Sequence, residues 1–298
     1  STTNGKKIPT VNDELYVKTH RGTLTTEAMM KRENRRCEAL ILSAEKFLCI
    51  AKRYGFAYPK EDLRRYWKKL LFNQVHDNLD GTSIETVYQD AATDYKEIRR
   101  FISRMGHLEA ISKHIRTSSV GTKALVIFNS LSWKRRGIVE IPMKRMLEEV
   151  FRILDQNDVE VPYQIVKDTE GDKLIFKAEV PAFGYRPKPS SAASDVYKRQ
   201  VQVHPEKNYA VTIFDKKSNR MVFDPSMGGN ILEIYEDKPP DAPNGEPAWN
   251  IYLGNRSEPE ALKAYIAENG PVRAKIRIER RFGNSKFIQD VMLYAESP

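Results

Sequence analysis

Residues 70–84 read Leu70-Leu71-Phe72-Asn73-Gln74-Val75-His76-Asp77-Asn78-Leu79-Asp80-Gly81-Thr82-Ser83-Ile84. One amphipathic helical pattern ends within this segment and another begins at its far side, so the segment joins two helices through a short connection. His76 and Asp77 stand side by side at that junction. A neutral imidazole suits a divalent metal such as zinc, and a carboxylate can accept hydrogen bonds from a hydroxyl-rich substrate.

Upstream of the junction, the apolar residues repeat at three- and four-residue steps, which predicts two helices. The first stripe consists of Cys37, Leu40, Ile41, Ala44, Phe47, Leu48 and Ala51. Gly55 and Pro59 end that helix. The second pattern consists of Leu63, Trp67, Leu70, Leu71 and Gln74.

Downstream, residues 79–81 are predicted to form the connecting turn. Thr82 and Glu85 have the spacing of a capping box, so a third helix is expected to begin there. Its predicted buried face consists of Ile84, Val87, Tyr88, Ala91, Tyr95, Ile98, Ile102 and Met105. Three long helices joined by short loops predict an antiparallel three-helix bundle.

After about residue 118 the chain changes to short β-rich runs separated by turn residues. These runs are residues 124–128, 138–141, 161–165, 174–180, 209–213, 273–278 and 287–293. Such spacing predicts a β-sandwich, so the expected fold class is α+β and multidomain, a three-helix bundle followed by a β-sandwich. Residues 190–200 interrupt the pattern, either as a flexible linker or as a sequence error.

The composition is that of a soluble globular protein, with 40% hydrophobic and 30% charged residues. No apolar run approaches the roughly 18 residues of a membrane span, so no membrane partner is expected. The net charge of +9 invites a nucleic-acid hypothesis. The basic residues lie between core positions of the predicted helices, and no recognition motif accompanies them, which favours solvated helix faces and no nucleic-acid partner. Basic residues of this kind are Lys31, Arg32, Arg35, Arg36, Arg64, Arg65, Lys68 and Lys69.

The chain contains two cysteines, Cys37 and Cys49. On one helix they would lie roughly 18 Å apart, too far to form a disulfide. Both are therefore interpreted as small core residues.

The sequence around the junction resembles that of a known family. Asn73-Gln74-x-His76-Asp77-x-x-x-Gly81-Thr82-Ser83-Ile84, followed by Val87-Tyr88-Gln89-Asp90-Ala91, is similar to the glycoside hydrolase family 38 α-mannosidases. Further similar runs are Glu14-Leu15-Tyr16-Val17-Lys18-Thr19-His20-Arg21-Gly22-Thr23, Phe128-Asn129-Ser130-Leu131-Ser132-Trp133 and Val180-Pro181-Ala182-Phe183-Gly184-Tyr185. Several matches in order along the chain are far more specific than any single one.

The resemblance implies a zinc-dependent retaining α-mannosidase that removes terminal α-linked mannose from glycans. In that family, His76 would be a zinc ligand and Asp77 would contact the bound sugar. The remaining ligands include a His-x-Asp pair, and no histidine of this chain has an aspartate two positions later. The nucleophile and the acid/base are therefore expected upstream of Ser1. No catalytic residue is assigned within the chain, which would be inactive alone.

The expected domains are residues 1–22 as the tail of a catalytic domain, 23–118 as the middle domain and 119–298 as a truncated β-sandwich. The expected partner is a mannose-containing glycan, while a homo-oligomer and the compartment are left open. His20 is either a substrate contact or part of a structural turn. Asp80 could alter the sugar preference or cap the third helix. His107 and His114 are expected to be core or rim residues.

Two other classes of function compete with this prediction. The first is a non-catalytic carbohydrate-binding or scaffold module, in which His76 is structural. The second is nucleic-acid binding, which would weaken strongly as the salt concentration rises.

Overall fold

The computed structural model describes residue 10 and residues 20–115, 124–143, 152–155, 159–167, 171–186, 199–238 and 249–295. The chain divides into two compact units, and each is described by itself. The first comprises Ser1–Leu108 with Tyr235–Asn255, and the second comprises Glu109–Ile234 with Arg256–Pro298. The domain limits expected at residues 22 and 118 stay predictions.

Helices dominate the first unit. A 3-10 turn at Arg21–Leu24 is followed by α1 (Ala28–Lys52), α2 (Lys60–Phe72), α3 (His76–Asp80) and α4 (Glu85–Arg104). The short helix α5 (His107–Ser112) begins in this unit and continues into the second. Within the described part of the chain, no helix combines the length and the apolar character that a membrane span requires.

The three long helices α1, α2 and α4 contact one another and share one hydrophobic core. The core residues recur at three- and four-residue steps, so each helix buries a single stripe. They are Met30, Cys37, Ile41, Ala44, Leu48, Leu63, Tyr66, Leu70, Tyr88, Ala91, Tyr95, Ile98 and Ile102. Full burial of a side chain such as Leu70 or Ile98 contributes about 1.5–3 kcal/mol to folding.

Two residues expected in this core are exposed instead. Leu71 is 56% exposed and Ile84 is 71% exposed, so both predictions are wrong. On α2 the core positions belong to Tyr66 and Leu70, and Leu71 is rotated away by about 100°. Ile84 is the residue before α4 and therefore lies outside its buried stripe.

The connection between α2 and α4 also differs from the prediction. Instead of a turn at residues 79–81, the one-turn helix α3 spans the junction and ends at Asp80, and the C-cap residue Gly81 has a φ of 87°. The predicted capping box is absent, because α4 begins without a side-chain cap. The Thr82 hydroxyl instead donates to the carbonyl of Asp77 across 3.3 Å. The predicted capping role of Asp80 is wrong for the same reason.

The two cysteines occupy different environments. Cys37 is buried, and its thiol lies 3.6 Å from the carbonyl oxygen of Tyr95. Burial, followed by the nearby carboxylate of Glu33, raises the pKa of Cys37 to about 11. Cys49 is exposed, so its prediction as a core residue is wrong. It follows the buried Leu48 and is rotated towards solvent.

Short strands form five small sheets within the described residues. The strands are β1 (Ile127–Phe128), β2 (Arg135–Pro142), β3 (Tyr163–Val166), β4 (Lys173–Val180), β5 (Tyr185–Arg186), β6 (Arg199–His204), β7 (Ala210–Asp215), β8 (Arg220–Met221), β9 (Ile234–Asp237), β10 (Leu253–Ser257), β11 (Glu260–Asn269), β12 (Arg273–Phe282) and β13 (Ser285–Tyr294). The three-stranded sheets have the orders β2-β4-β3, β6-β7-β8 and β11-β12-β13, and β1 pairs with β5 and β9 with β10.

Each of the predicted β-rich runs overlaps one of these strands. Helices followed by antiparallel sheets confirm the α+β class. The three-helix bundle and the β-sandwich as named architectures stay predictions. Residues 190–198 of the segment interpreted as a linker lie outside the described residues, while Arg199 begins β6.

The sheet of β11, β12 and β13 contains a buried ionic cluster. Arg273 binds Glu268 in a bidentate manner, with nitrogen–oxygen distances of 2.6 and 3.0 Å. The side chains of Glu268, Arg273 and Lys275 are only 7%, 8% and 7% exposed. Opposite charges and a two-pronged geometry offset the cost of removing these groups from water.

Candidate functional site

His76 begins the one-turn helix α3, and its position follows from how α2 ends. Asn73, the residue after α2, is buried, and its amide donates to the carbonyl of Lys69 across 3.0 Å and to a carboxylate oxygen of Asp94 across 3.1 Å. The Gln74 amide donates to the side-chain oxygen of Asn34 across 3.1 Å. These bonds attach the connection to α4 and α1, so the next residues start from a fixed point.

His76 and Asp77 form an exposed pair on this turn. The His76 side chain is 74% exposed and the Asp77 side chain 52% exposed. The His76 Nε2 atom lies 3.2 Å from an Asp77 carboxylate oxygen. An exposed imidazole is sterically free to bind a metal, and a carboxylate at one ring nitrogen is the contact that orients metal-binding histidines.

The inner side of α3 is attached to the start of α1 through Lys31. The Lys31 ammonium donates to the carbonyl oxygens of Leu79 at 2.8 Å and Asp80 at 3.4 Å, and also to that of Thr26. It therefore satisfies carbonyl groups that the short helix leaves without an internal partner. Burial lowers the pKa of Lys31, although the carboxylates of Asp80 and Glu27 act in the opposite direction.

Gly81 and Asn78 complete the support of the turn. Gly81 has a positive φ of 87°, and a methyl group added there would come within 2.8 Å of the Thr26 carbonyl oxygen. Asn78 is buried and accepts a hydrogen bond of 2.8 Å from the Ser83 hydroxyl. Asn78 therefore faces the protein interior while the two residues before it face solvent.

His20 lies on the segment that leads into α1. It is exposed and has a left-handed φ of 68°. Its backbone N–H donates to the side-chain oxygen of Asn250 across 2.6 Å, and its ring centroid lies 4.8 Å from that of Trp249. The Gly22 N–H donates to the Trp249 carbonyl across 2.9 Å. Asn250 thus holds the backbone of His20, and Trp249 holds the backbone of Gly22 and contacts the His20 ring.

A chain of hydrogen bonds connects the His20 segment to α3. The Gly22 carbonyl accepts from the Thr26 N–H across 2.9 Å, and the Thr26 carbonyl accepts from Lys31, which also binds Leu79. The predicted site residues His20, His76 and Asp77 thus lie on segments attached to the start of α1. Their predicted roles stay predictions.

The described residues do not by themselves form a metal site. Among them there is no group of three or more histidine, cysteine or acidic side chains placed to hold one ion. A zinc site has four ligands in its common structural form and three protein ligands in its catalytic form. The described residues alone therefore do not make a zinc site, and the zinc-ligand role of His76 stays a prediction.

Sequence reasoning missed Lys31, Asn78 and the Trp249–Asn250 support. Lys31 was counted with a solvated basic helix face, since a single lysine gives no local sign of a contact 48 residues away. His107 and His114 occupy positions of the kind expected for core or rim residues. His107 is buried and its pKa is lowered by burial, while His114 is exposed.

Comparison with protein families matches two parts of the chain. Residues 18–107 match the "Alpha mannosidase middle domain", and residues 198–298 match the "Glycosyl hydrolases family 38 C-terminal domain". The first match contains His20, His76 and Asp77.

Curated relatives match over shorter stretches. Alpha-mannosidase 2C1 of Mus musculus is 36% identical over 131 residues, which are 43% of this chain and 12% of that protein. Alpha-mannosidase 2C1 of Homo sapiens is 34% identical over 131 residues, with the same coverage of 43% and 12%. The Alpha-mannosidase of Saccharomyces cerevisiae is 33% identical over 91 residues, 30% of this chain and 8% of that protein. The chain thus matches about an eighth or less of the length of these relatives.

Solved structures share the fold. A glycosyl hydrolase family 38 protein from Enterococcus faecalis superposes with a TM-score of 0.66 at 16% identity, covering 93% of this chain and 42% of that one. An alpha-mannosidase from Enterococcus faecalis V583 superposes with a TM-score of 0.62 at 18% identity, covering 87% and 35%. At these identities the likeness concerns the fold alone.

Proposed function

The chain belongs to glycosyl hydrolase family 38, and we propose that it is the middle and C-terminal part of a zinc-dependent α-mannosidase. The whole protein would remove terminal α-linked mannose from glycans with retention of configuration. The observation that supports this most is the exposed His76-Asp77 pair on α3. Hydrogen bonds hold this turn in place, and it lies inside the segment that matches the mannosidase middle domain.

His76 is proposed to contribute one zinc ligand. Its exposed ring is accessible to an ion held mainly by residues outside the described part of the chain. When bound, zinc supplies a Lewis acid that can hold vicinal hydroxyl groups of a sugar. His76 supplies one ligand position of that site. The hydrogen bonds that hold α3 limit how far the ring can move.

Asp77 is proposed to contact a hydroxyl group of the bound sugar. Its carboxylate is half-exposed and lies 3.2 Å from the His76 ring, so it can accept a hydrogen bond from the imidazole and still offer its second oxygen. In this arrangement Asp77 orients His76 and positions the sugar.

Exposed apolar side chains near His76 in the sequence support a covered location in the complete protein. Phe72 is 73% exposed, Val75 46% and Ile84 71%. Large exposed apolar side chains next to a polar pair are typical of surfaces that other protein segments cover. A retaining glycosidase needs two carboxyl groups about 5 Å apart, and we propose that residues of the full-length protein outside this chain supply them.

The test compares His76→Ala with His114→Ala in the full-length protein. His114 is also exposed, so its replacement removes an imidazole without touching α3. We expect His76→Ala to lose zinc, measured by metal analysis after gel filtration, and to lose hydrolysis of an aryl α-mannoside. His114→Ala should retain both.

Equal zinc content and equal activity in the two variants would contradict the proposed role of His76. Equal zinc content together with glycan binding and no hydrolysis by the wild-type protein would favour the alternative, a non-catalytic carbohydrate-binding or scaffold module. Loss of zinc in His76→Ala with unchanged folding supports the mannosidase proposal. Folding is measured by circular dichroism.

A further inference from the structure

Three buried polar atoms on α1 and α4 have no hydrogen-bond partner among the described residues. They are the Oε2 atom of Glu33 on α1 and, on α4, the hydroxyl oxygen of Tyr95 and the Nε atom of Arg99. Tyr95 is 0% exposed and Glu33 is 6% exposed. A buried polar atom that has lost its hydrogen bonds to water destabilises the folded state unless another group replaces them. These three atoms therefore need a partner.

The three side chains belong to one polar cluster between α1 and α4, two helices that contact each other. The Arg99 Nη1 atom lies 3.0 Å from Glu33 Oε2, in an ion pair whose geometry does not make a hydrogen bond. One turn away on each helix, the Cys37 thiol lies 3.6 Å from the carbonyl oxygen of Tyr95. Two independent contacts thus hold the facing turns of α1 and α4 together.

The unpaired atoms have complementary hydrogen-bonding roles. The carboxylate oxygen of Glu33 only accepts, the Nε–H of Arg99 only donates, and a protonated hydroxyl can do either. Burial, followed by the neighbouring Cys37, Asp94 and Glu33, raises the pKa of Tyr95 to about 12, so its hydroxyl keeps the proton at neutral pH. No direct bond among the three satisfies them all, whereas a molecule that both donates and accepts can.

Water has the required combination of donors and acceptors. Buried waters typically make about three hydrogen bonds to polar groups that lack a protein partner. We propose that Glu33, Tyr95 and Arg99 form a binding site for one internal water molecule between α1 and α4. The water donates to Glu33 Oε2, accepts from Arg99 Nε and forms its third hydrogen bond with the Tyr95 hydroxyl.

The site adjoins the part of α1 that holds the connection between α2 and α3. Asn34 follows Glu33 directly, and its side-chain oxygen accepts a hydrogen bond of 3.1 Å from Gln74 in that connection. The bound water therefore stabilises the turn of α1 to which the connection is attached. This inference goes beyond the proposed mannosidase function, and its test involves neither zinc nor hydrolysis.

A high-resolution crystal structure of the full chain tests the site directly. We expect one water within hydrogen-bond distance of Glu33 Oε2, Arg99 Nε and the Tyr95 hydroxyl. Magnetic relaxation dispersion of the water oxygen, which counts long-lived internal waters, tests it in solution. Tyr95→Phe removes the hydroxyl and keeps the ring, so this variant should hold one such water fewer than the wild type.

Tyr88→Phe is the matched control. Tyr88 is also a buried tyrosine of α4, but its hydroxyl already accepts a hydrogen bond of 2.6 Å from the Ser83 N–H. The control should keep the wild-type number of long-lived waters. Urea unfolding adds a sign: loss of a hydroxyl bonded to water should lower the midpoint of Tyr95→Phe, whereas removal of an unsatisfied hydroxyl should raise it.

Three results would overturn the proposal. One is a crystal structure in which the Tyr95 hydroxyl bonds Glu33 or Arg99 directly, with no water between them. Another is an equal number of long-lived waters in the wild type and in Tyr95→Phe. The last is a higher urea midpoint for Tyr95→Phe than for the wild type, which would show that the hydroxyl is unsatisfied in the folded chain.

Discussion

The ammonium of Lys31, in the first turn of α1, donates a hydrogen bond of 2.8 Å to the carbonyl oxygen of Leu79 at the end of α3. The helical turn that presents His76 is therefore held by a side chain on another helix. A five-residue helix has little stability of its own, because the free-energy cost of helix nucleation exceeds the stabilisation from one turn of hydrogen bonds. The position of His76 thus depends on contacts made behind it.

Replacing Lys31 by methionine should destabilise the helical unit. The variant leaves the carbonyl oxygens of Thr26 and Leu79 without their donor, which should cost about 1–3 kcal/mol. Lys68→Met is the control, because Lys68 is exposed and has no partner among the described residues. Urea unfolding of both variants measures the difference. Identical midpoints would show that Lys31 does not hold α3.

In the full-length protein, Lys31→Met should also weaken zinc binding more than Lys68→Met does. This expectation rests on the proposed ligand role of His76. A chelator titration on folded protein measures it, and a loss of stability with unchanged zinc affinity would assign Lys31 a purely structural role.

Gly81→Ala should cost more than the same change at Gly55. Both glycines have a positive φ, 87° and 84°, so replacement by alanine lowers stability by roughly 1–2 kcal/mol at either position. At Gly81 the new methyl group would also come within 2.8 Å of the Thr26 backbone, whereas nothing lies within 4 Å at Gly55. We expect an additional cost of about 1–3 kcal/mol at Gly81, measured by thermal or urea unfolding. Equal costs would show that the turn and α1 can separate easily.

The buried His107 should make stability depend on pH in the mildly acidic range. Burial lowers the pKa of His107 in the folded chain from 6.5. The unfolded chain therefore binds a proton first as the pH falls, and stability is lost from about pH 6.5 down to the folded pKa. The slope can reach about 1.4 kcal/mol per pH unit.

The measurement for His107 is urea unfolding between pH 7.5 and 5.5, in wild type and His107→Gln. The variant keeps a polar side chain that does not titrate, so its stability should change less over this range. The control His114→Gln removes an exposed histidine and should keep the wild-type slope. The same slope in all three proteins would mean that His107 is not the titrating group.

Glu268→Gln should destabilise the sheet of β11, β12 and β13. The change leaves Arg273 and Lys275 buried without their shared carboxylate, at a cost of about 3–5 kcal/mol. Glu260→Gln is the control, because its pair with Arg281 is 63% and 60% exposed and should contribute at most about 1 kcal/mol. Urea unfolding near neutral pH measures both, and equal effects would rule out the buried cluster as a source of stability.

The same cluster predicts loss of stability in acid. Burial would raise the pKa of Glu268, but hydrogen bonds from Arg273 and Lys275 outweigh it and lower the pKa below 4.5. The unfolded chain therefore binds the proton first, and this contribution disappears as the pH falls from about 4.5 through the folded pKa. Glu268→Gln should flatten the pH dependence of unfolding in that range.

Much of the helical unit could be predicted from the sequence, because burial of one stripe imposes a spacing that is visible in the residues. The buried residues of α1 from Cys37 to Ala51 are an example. The helix α3 could not be predicted, since five residues are too few to show a period. The strand β11 was missed for a different reason. Its alanines, lysine and glutamates are not strand-forming residues, and pairing with β12 determines its conformation.

For the candidate site, the sequence predicted the helix junction that holds His76 and Asp77, whose chemical roles stay predictions. His76 lies on an exposed turn, which agrees with the expectation that the junction between two helices presents its side chain. The contacts that hold these segments could not be predicted from the sequence. Asn250 and His20 are 230 positions apart, and Lys31 and Leu79 are 48 positions apart. Such partners follow from the tertiary fold and leave no local pattern.

The contrast between Cys37 and Cys49 offers a built-in probe of the chain. A maleimide reagent reacts with accessible thiolates, so it should modify Cys49 in the native state and leave Cys37, with its pKa of about 11, unmodified. Opening of the helical core would expose the second sulfur to the reagent. The mass of each labelled chain would then show whether the helical core beside α4 had opened in that molecule.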